Sequence, residues 1–158
     1  MDQLHDTPAP SGAPTWDISF TRLTHALRPK VKACTVDLAR RFKAVGLHSD
    51  TQVRQMPRGL STLLALVGER GLVCIIDITL LDGMALGHGP CTGLEIRLLD
   101  ACGDVVTGGM PSDLEGRAFH EASAAVAFIS DSLDQAATGV YVEALAHFGL
   151  LRPRAQNA

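Results

Sequence analysis

The chain is poor in aromatic residues: one tryptophan, one tyrosine and five phenylalanines among 158 residues. Proteins that bind single-stranded nucleic acid usually stack successive bases on aromatic side chains, so this scarcity argues against that class. No apolar run reaches the roughly 18 uncharged residues that a membrane span needs, because Asp77 and Asp82 interrupt the longest one. We therefore predict that the protein has no membrane partner.

Closely spaced cysteines are also missing. The four cysteines contain no Cys-x-x-Cys pair, which argues against a zinc knuckle or a disulfide framework; they are Cys34, Cys74, Cys91 and Cys102. The first six residues lack the basic start and apolar run of a secretory signal. We expect a cytoplasmic protein with reduced thiols and no cofactor.

What the chain does contain is enough apolar material for one domain. Hydrophobic residues make up 46% and charged residues 20% of the sequence, which is typical of a globular domain of this length. Residues 1–15 contain three prolines, a serine and a glycine and have few apolar side chains to bury, so we predict a disordered tail there. A single domain is expected over 16–151, followed by a second disordered tail over 152–158.

The net charge of −3 hides a strong asymmetry along the chain. Residues 1–70 contain ten basic and six acidic residues, whereas 71–158 contain four basic and eleven acidic ones. This distribution favours attraction between the two halves, within one chain or across a dimer. The alternative interpretation is an anionic partner for the first half.

The first half is predicted to be helical. Apolar residues recur at steps of three and four from Lys30 to Val45, and Gly46 is placed to end that helix. Pro29 should interrupt any structure that comes before it. The polar stretch 48–57 is predicted to be a loop, and leucines spaced three and four apart predict a second short helix over 60–67.

The middle of the chain is predicted to form strands. Residues 72–81 are rich in β-branched side chains and have one wholly apolar face, as in a central strand. Residues 94–100 and 105–107 read as a hairpin around a turn at 101–104. The fold class is then α+β, with a small antiparallel sheet of about three to four strands packed by N-terminal and C-terminal helices.

The C-terminal part is predicted to be a long helix over 112–137, started by a capping box of Ser112 and Glu115. Gly139 should break or bend it, and a last helix should end at Gly149. Small residues along the long helix would let a second copy approach closely; they are Ala118, Ala122, Ala125 and Ala136. Packing on the protein's own sheet explains them equally well.

Six basic residues in and just before the first predicted helix are the candidate anion-binding group. They are Arg28, Lys30, Lys32, Arg40, Arg41 and Lys43, with only Asp37 opposing them. Several positive charges on one helix could bind a phosphate backbone at once. However, no recognition helix follows, so a nucleic-acid role is possible but not favoured over an ordinary solvated helix face.

Three further residues are ligand-binding candidates. His88 and Cys91 lie three apart in a glycine-rich loop, a spacing that suits metal ligands or an activated thiol, although a structural zinc site would need more ligands. We therefore predict no metal. Asp77 is an acid inside an apolar strand, which must find a partner or face water. Exposure on the open side of the sheet is the simpler expectation.

The absence of a recognisable catalytic group favours a non-enzymatic binding or regulatory domain. We expect a homodimer that recognises a protein or a small ligand. The alternatives are a small enzyme that uses the loop with His88 and Cys91, and a nucleic-acid-associated protein that uses the basic helix over 28–43.

Overall fold

A computed structural model describes residues 20–56, 59–82, 92–109 and 122–150. The elements follow one another along the chain as α1 (Phe20–Lys43), β1 (His48–Met56), β2 (Gly59–Gly68), β3 (Gly71–Asp82), β4 (Thr92–Asp100), β5 (Val105–Gly109) and α2 (Ala122–His147). The α+β class is confirmed, and helices flank the strands in sequence. The sheet has five strands, not three to four. Both expected tails, 1–15 and 152–158, fall outside the described residues.

The five strands form an antiparallel meander with the spatial order β1-β2-β3-β4-β5. Alternate residues of the three central strands point to the side on which α1 and α2 pack, because side chains alternate between the two faces of a strand. These residues form the core with both helices; they are Leu64, Leu66, Cys74, Ile76, Ile78, Leu80, Leu94, Ile96 and Leu98. Helix α1 lies over β1 to β3, and α2 lies over β4 and β5.

Helix α1 is longer than the sequence pattern predicts, because it continues through Pro29. The predicted interruption is therefore wrong. Proline cannot donate to the carbonyl of His25, which costs on the order of 3 kcal/mol inside a helix. Buried side chains on both sides of Pro29, including Leu27 and Val31, make one continuous apolar stripe that offsets this loss.

Gly46 ends α1, as its position predicts. Its φ is +94°, a left-handed conformation that glycine adopts without strain. The amide of Leu47 donates to the carbonyl of Phe42, and the amide of Gly46 donates to that of Lys43, both at 3.0 Å. This pair of hydrogen bonds is a Schellman motif, which satisfies carbonyls that the helix end leaves open.

Two predictions between the first helix and the central strand are wrong. Residues 48–57, predicted as a loop, contain β1, and 60–67, predicted as a helix, lie in β2. Strand β1 is polar because it is an exposed edge strand, not because it is irregular. In β2, Leu60 and Leu64 are four apart, and this spacing places two residues on one face of either a helix or a strand.

The central strand and the hairpin are confirmed. Strand β3 spans the predicted 72–81, and β4 and β5 join through a turn at 101–104. One detail differs: Leu72 is 39% exposed, because a bulge between Leu66 and Val67 shifts the β2–β3 register there. Asp100 shapes the hairpin turn, since its Oδ1 accepts hydrogen bonds from the amides of Cys102 and Asp104 at 2.9 Å.

Helix α2 runs without a break through Gly139, so the predicted break there is wrong. Glycine weakens a helix interior by about 1 kcal/mol, which packing of the neighbouring Ala137 and Val140 can offset. Ala125 is fully buried and Ala136 packs against the core, so these small residues serve the packing of α2 on its own domain. The predicted capping box at 112–115 lies outside the described residues. Neither described helix has the length and hydropathy of a membrane span.

Candidate functional site

The six basic residues of α1 do not form one surface. Arg28 and Lys32, one helical turn apart, lie beside strands β1 and β2. Lys30 and Arg41 lie on another side of the helix, against α2. A helix of this length points its side chains in all directions. Basic residues that are close in the sequence therefore lie on different sides of α1.

Three of the six are paired with carboxylates. Lys30 Nζ lies 2.9 Å from Asp134 Oδ2 on α2, and this hydrogen bond raises the pKa of Lys30. Within α1, Asp37 pairs with Arg40 and with Arg41, whose Nε lies 2.9 Å from Asp37 Oδ2. The Lys30–Asp134 pair joins the basic half of the chain to the acidic half, which supports attraction within one chain.

The other three have no ion pair with a described residue. Lys43 is exposed in the last turn of α1, where a positive charge complements the helix dipole. Arg28 and Lys32 are exposed as well, and they stand at the rim of a groove between α1 and the β1–β2 hairpin. Among the three cations without such an ion pair, these two share a concave site, whereas Lys30 and Arg41 lie in a second cavity beside Asp37 and Asp134.

The groove has a volume of about 350 Å³. This value is at the small end of the range of roughly 300–1,000 Å³ that is usual for ligand sites. Its lining is largely apolar and hydroxylic, and it consists of Arg28, Val31, Lys32, Thr35, Thr51, Val53, Leu60 and Thr62. The described residues of this lining include no carboxylate, histidine or cysteine, so they offer contact surface and positive charge but no general base.

The walls of the groove come from three elements. Val31 and Thr35 of α1 and Leu60 and Thr62 of β2 are buried, so they form its floor. The Thr35 hydroxyl donates to the carbonyl of Val31 at 2.8 Å, which leaves its methyl group for contacts. On the outer side Val53 is 57% exposed. An apolar ligand could cover Val53 without displacing any described side chain.

The sequence patterns missed this groove. Thr51 and Val53 fall in the segment predicted as a loop, and Leu60 and Thr62 fall in the segment predicted as a helix. One signal was available, because Leu60, Thr62, Leu64 and Leu66 also follow the two-residue period of a strand.

Asp77 lies on the sheet face opposite the helices and is only 3% exposed. The expected open exposure is therefore wrong. Its Oδ1 accepts hydrogen bonds from Ser61 Oγ at 3.0 Å and Thr79 Oγ1 at 2.6 Å, and its Oδ2 accepts one from Arg97 Nη2 at 2.8 Å. Three donors from three strands satisfy a buried carboxylate. This environment gives Asp77 a role in joining strands β2, β3 and β4.

The remaining ligand-binding candidates, His88 and Cys91, lie outside the described residues, so their proposed site stays a prediction. Within the described ranges, no group of three or more metal-ligating side chains comes together.

Two buried thiols contrast with one exposed thiol. The pKa of Cys34 is raised to about 11, mainly by burial and also by the nearby Asp134, whereas Lys30 opposes the shift. Burial likewise raises the pKa of Cys74 to about 11. Cys102 is exposed in the β4–β5 turn. Since the thiolate is the reactive form, the two core cysteines should be chemically inert.

Alkylation of the native protein with iodoacetamide at pH 8 should therefore modify Cys102 and leave Cys34 and Cys74 intact. At that pH a thiol of pKa 11 is ionised in about one molecule per thousand. Mass spectrometry of the tryptic peptides would measure modification at each site. The control is the same reaction in urea, where all three should react. Modification of native Cys34 as fast as Cys102 would contradict the described burial.

Comparisons with models of known protein families, with curated proteins and with solved structures find no match to this chain.

Proposed function

We propose that the protein is a non-enzymatic binding domain whose α1–β1 groove holds an extended segment of a partner protein. The segment combines apolar side chains with at least one acidic side chain. One observation carries this proposal: Arg28 and Lys32 stand at the rim of a groove of apolar and threonine side chains, with no carboxylate among the described residues that line it. A ligand carboxylate there gains attraction from both cations, and its apolar part covers Val53.

The dimensions of the groove favour a segment of chain. From Arg28 to Thr35 the helix rises by about 10 Å, at 1.5 Å per residue. An extended chain covers this distance with about three residues, at 3.3 Å each. Because the groove lies between a helix and an exposed edge strand, a bound segment can continue past it in either direction. A small carboxylate is the competing ligand.

The other two functions have weaker support. A nucleic-acid partner needs many cations on one surface, whereas α1 separates its cations and pairs three of them with Asp37 and Asp134. An enzyme would use His88 and Cys91, which lie outside the residues that the structure describes. We retain each as an alternative with a distinct prediction: steep salt dependence for the first, and loss of function on His88→Ala for the second.

Fluorescence anisotropy with a labelled hexapeptide of alternating leucine and glutamate tests the proposal. The Arg28→Gln/Lys32→Gln variant should bind this peptide about fivefold to tenfold more weakly than the wild type, since exposed charge pairs contribute about 0.2–1 kcal/mol each. The matched control is Arg40→Gln/Lys43→Gln, which removes the same charge from the same helix outside the groove. Its affinity should stay close to that of the wild type.

Two outcomes would contradict the proposal. Equal weakening by both double variants would indicate attraction to net charge without a site. Binding of decanoate, with no binding of the peptide, would identify a small-molecule site instead. A hexapeptide of alternating leucine and lysine completes the test, because it should bind poorly to a groove with a basic rim.

A further inference from the structure

Strand β1 is an exposed edge of the described sheet. It contains nine residues, and eight of them are exposed to solvent. It pairs with β2 on one side, and no described strand lies on the other. An edge strand carries a row of backbone donors and acceptors that can pair with another strand. Its length would allow a full set of antiparallel hydrogen bonds with a partner strand.

The order of charges along β1 is complementary to that of a second copy of the same strand running antiparallel to it. Asp50 and Arg54 are the only residues of this strand with a full charge, and Gln52 lies midway between them. If a second β1 runs antiparallel with Gln52 opposite the partner's Gln52, Asp50 lies opposite the partner's Arg54. The same contact repeats on the other side of the two-fold axis. Opposite charges in directly facing positions stabilise a strand pair.

Other symmetric registers lose this match. Centring the pair on Asp50 or on Arg54 would bring two like charges together, which is destabilising. Centring it on Thr51 or Val53 would place each charge opposite a neutral side chain. The Gln52 register is also the one in which all nine residues overlap, from His48 opposite the partner's Met56 to Met56 opposite the partner's His48.

We propose that a second copy of this chain pairs with β1 in this register, which joins two five-stranded sheets into one of ten strands. The other described edge, β5, is less suited to such pairing, because it has five residues and ends in Gly108 and Gly109 with positive φ. A two-fold axis perpendicular to the sheet keeps the helices of both copies on the same side. The two grooves then adjoin across β1.

The pairing does not depend on what the groove binds, and charge reversal tests it directly. Arg54→Asp places a carboxylate opposite the partner's Asp50 at two symmetric positions, so it should raise the dimer dissociation constant about tenfold or more. Asp50→Arg should do the same. The double variant Asp50→Arg/Arg54→Asp restores both opposite-charge contacts and should dimerise like the wild type. Analytical ultracentrifugation over a concentration series measures all four proteins.

The pattern of association decides the proposal. Weakening by each single reversal with recovery in the double variant would support it. A wild-type monomer at all concentrations, or a dimer that ignores the reversals, would overturn it. Glu69→Lys, an exposed charge reversal in the β2–β3 turn, is the control and should leave association unchanged.

A disulfide gives a second readout that does not rely on charge. Facing Cα atoms in antiparallel strands are about 4.5–5.5 Å apart, which lies within the roughly 4.4–6.8 Å that a disulfide spans. In a Cys91→Ser/Cys102→Ser background, Gln52→Cys should form a covalent dimer on mild oxidation. Ser49→Cys is the matched control, because the two copies of position 49 would lie six residues apart along the strand. Equal crosslinking of both variants would overturn the register.

Discussion

Replacing Asp77 by leucine is expected to lower the free energy of unfolding by about 2–3 kcal/mol. The substitution removes the acceptor of two hydroxyl groups, Ser61 Oγ and Thr79 Oγ1, and the partner of the Arg97 guanidinium. Ser61 and Thr79 are themselves buried, so water cannot readily replace the lost hydrogen bonds. The loss should appear as a lower urea midpoint with an unchanged slope.

The exposure of Arg97 limits the size of this effect. Breaking a fully buried ion pair costs about 3–5 kcal/mol because a charge is left without solvent or a partner. The Arg97 side chain is 39% exposed, so water can hydrate part of the guanidinium after Asp77 is removed. For this reason we expect a loss below that range.

The double variant Asp77→Leu/Arg97→Leu distinguishes loss of the pair from loss of packing. Replacing both members of a buried ion pair by apolar residues is often close to neutral, so the double variant should be more stable than Asp77→Leu alone. Asp131→Ala, at an exposed position of α2, should change stability by no more than about 0.5 kcal/mol. If Asp77→Leu changes stability as little as Asp131→Ala, the three hydrogen bonds do not stabilise the sheet.

Elements with an unambiguous pattern were predictable from the sequence. Strand β3 carries apolar side chains on one face, including Ile76 and Ile78, and has the length of a buried strand. The hairpin follows from the turn at 101–104, where Asp100 accepts two backbone hydrogen bonds. Gly46 ends α1 because a left-handed residue is needed there. In each case local chemistry and tertiary packing favour the same structure.

The errors arise where tertiary context overrides local preference. Proline disfavours a helix interior, yet burial of apolar side chains on both sides of Pro29 stabilises α1 as one continuous helix. Strand β1 is too polar to resemble a strand because it pairs with a described strand on one edge only and eight of its nine residues are exposed. The groove combines α1 with β1 and β2, so errors in the last two elements concealed it. No pattern within a single segment shows that Arg28 and Val53 line the same groove.

Asp77 shows a different limit of sequence patterns. Its position within an apolar strand identified it as unusual, but two of its three described hydrogen-bond partners could not be assigned without the strand register. Thr79 is two residues away, whereas Ser61 and Arg97 come from β2 and β4. A buried acid is a candidate for function until its partners are known. Here the partners favour a structural role.

Gly108→Ala is expected to cost about 3–5 kcal/mol, or to detach β5 from the sheet. A Cβ atom at this position would overlap the carbonyl oxygen of Ile96 and lie 2.5 Å from the Cα atom of Arg97. Both are backbone atoms of the neighbouring strand, so neither can move as a side chain does. The φ of +128° adds strain for any residue other than glycine.

A substitution at the neighbouring Gly109 distinguishes steric overlap with β4 from backbone strain. Its φ of +139° is similarly unfavourable for alanine, but a Cβ atom there would meet nothing within 4 Å. Gly109→Ala should therefore cost only the backbone strain, about 1–3 kcal/mol. Urea unfolding measures both variants, and hydrogen exchange of the β5 amides detects local detachment. Equal effects at the two positions would show that conformation alone, and not the close approach of β4, requires glycine at position 108.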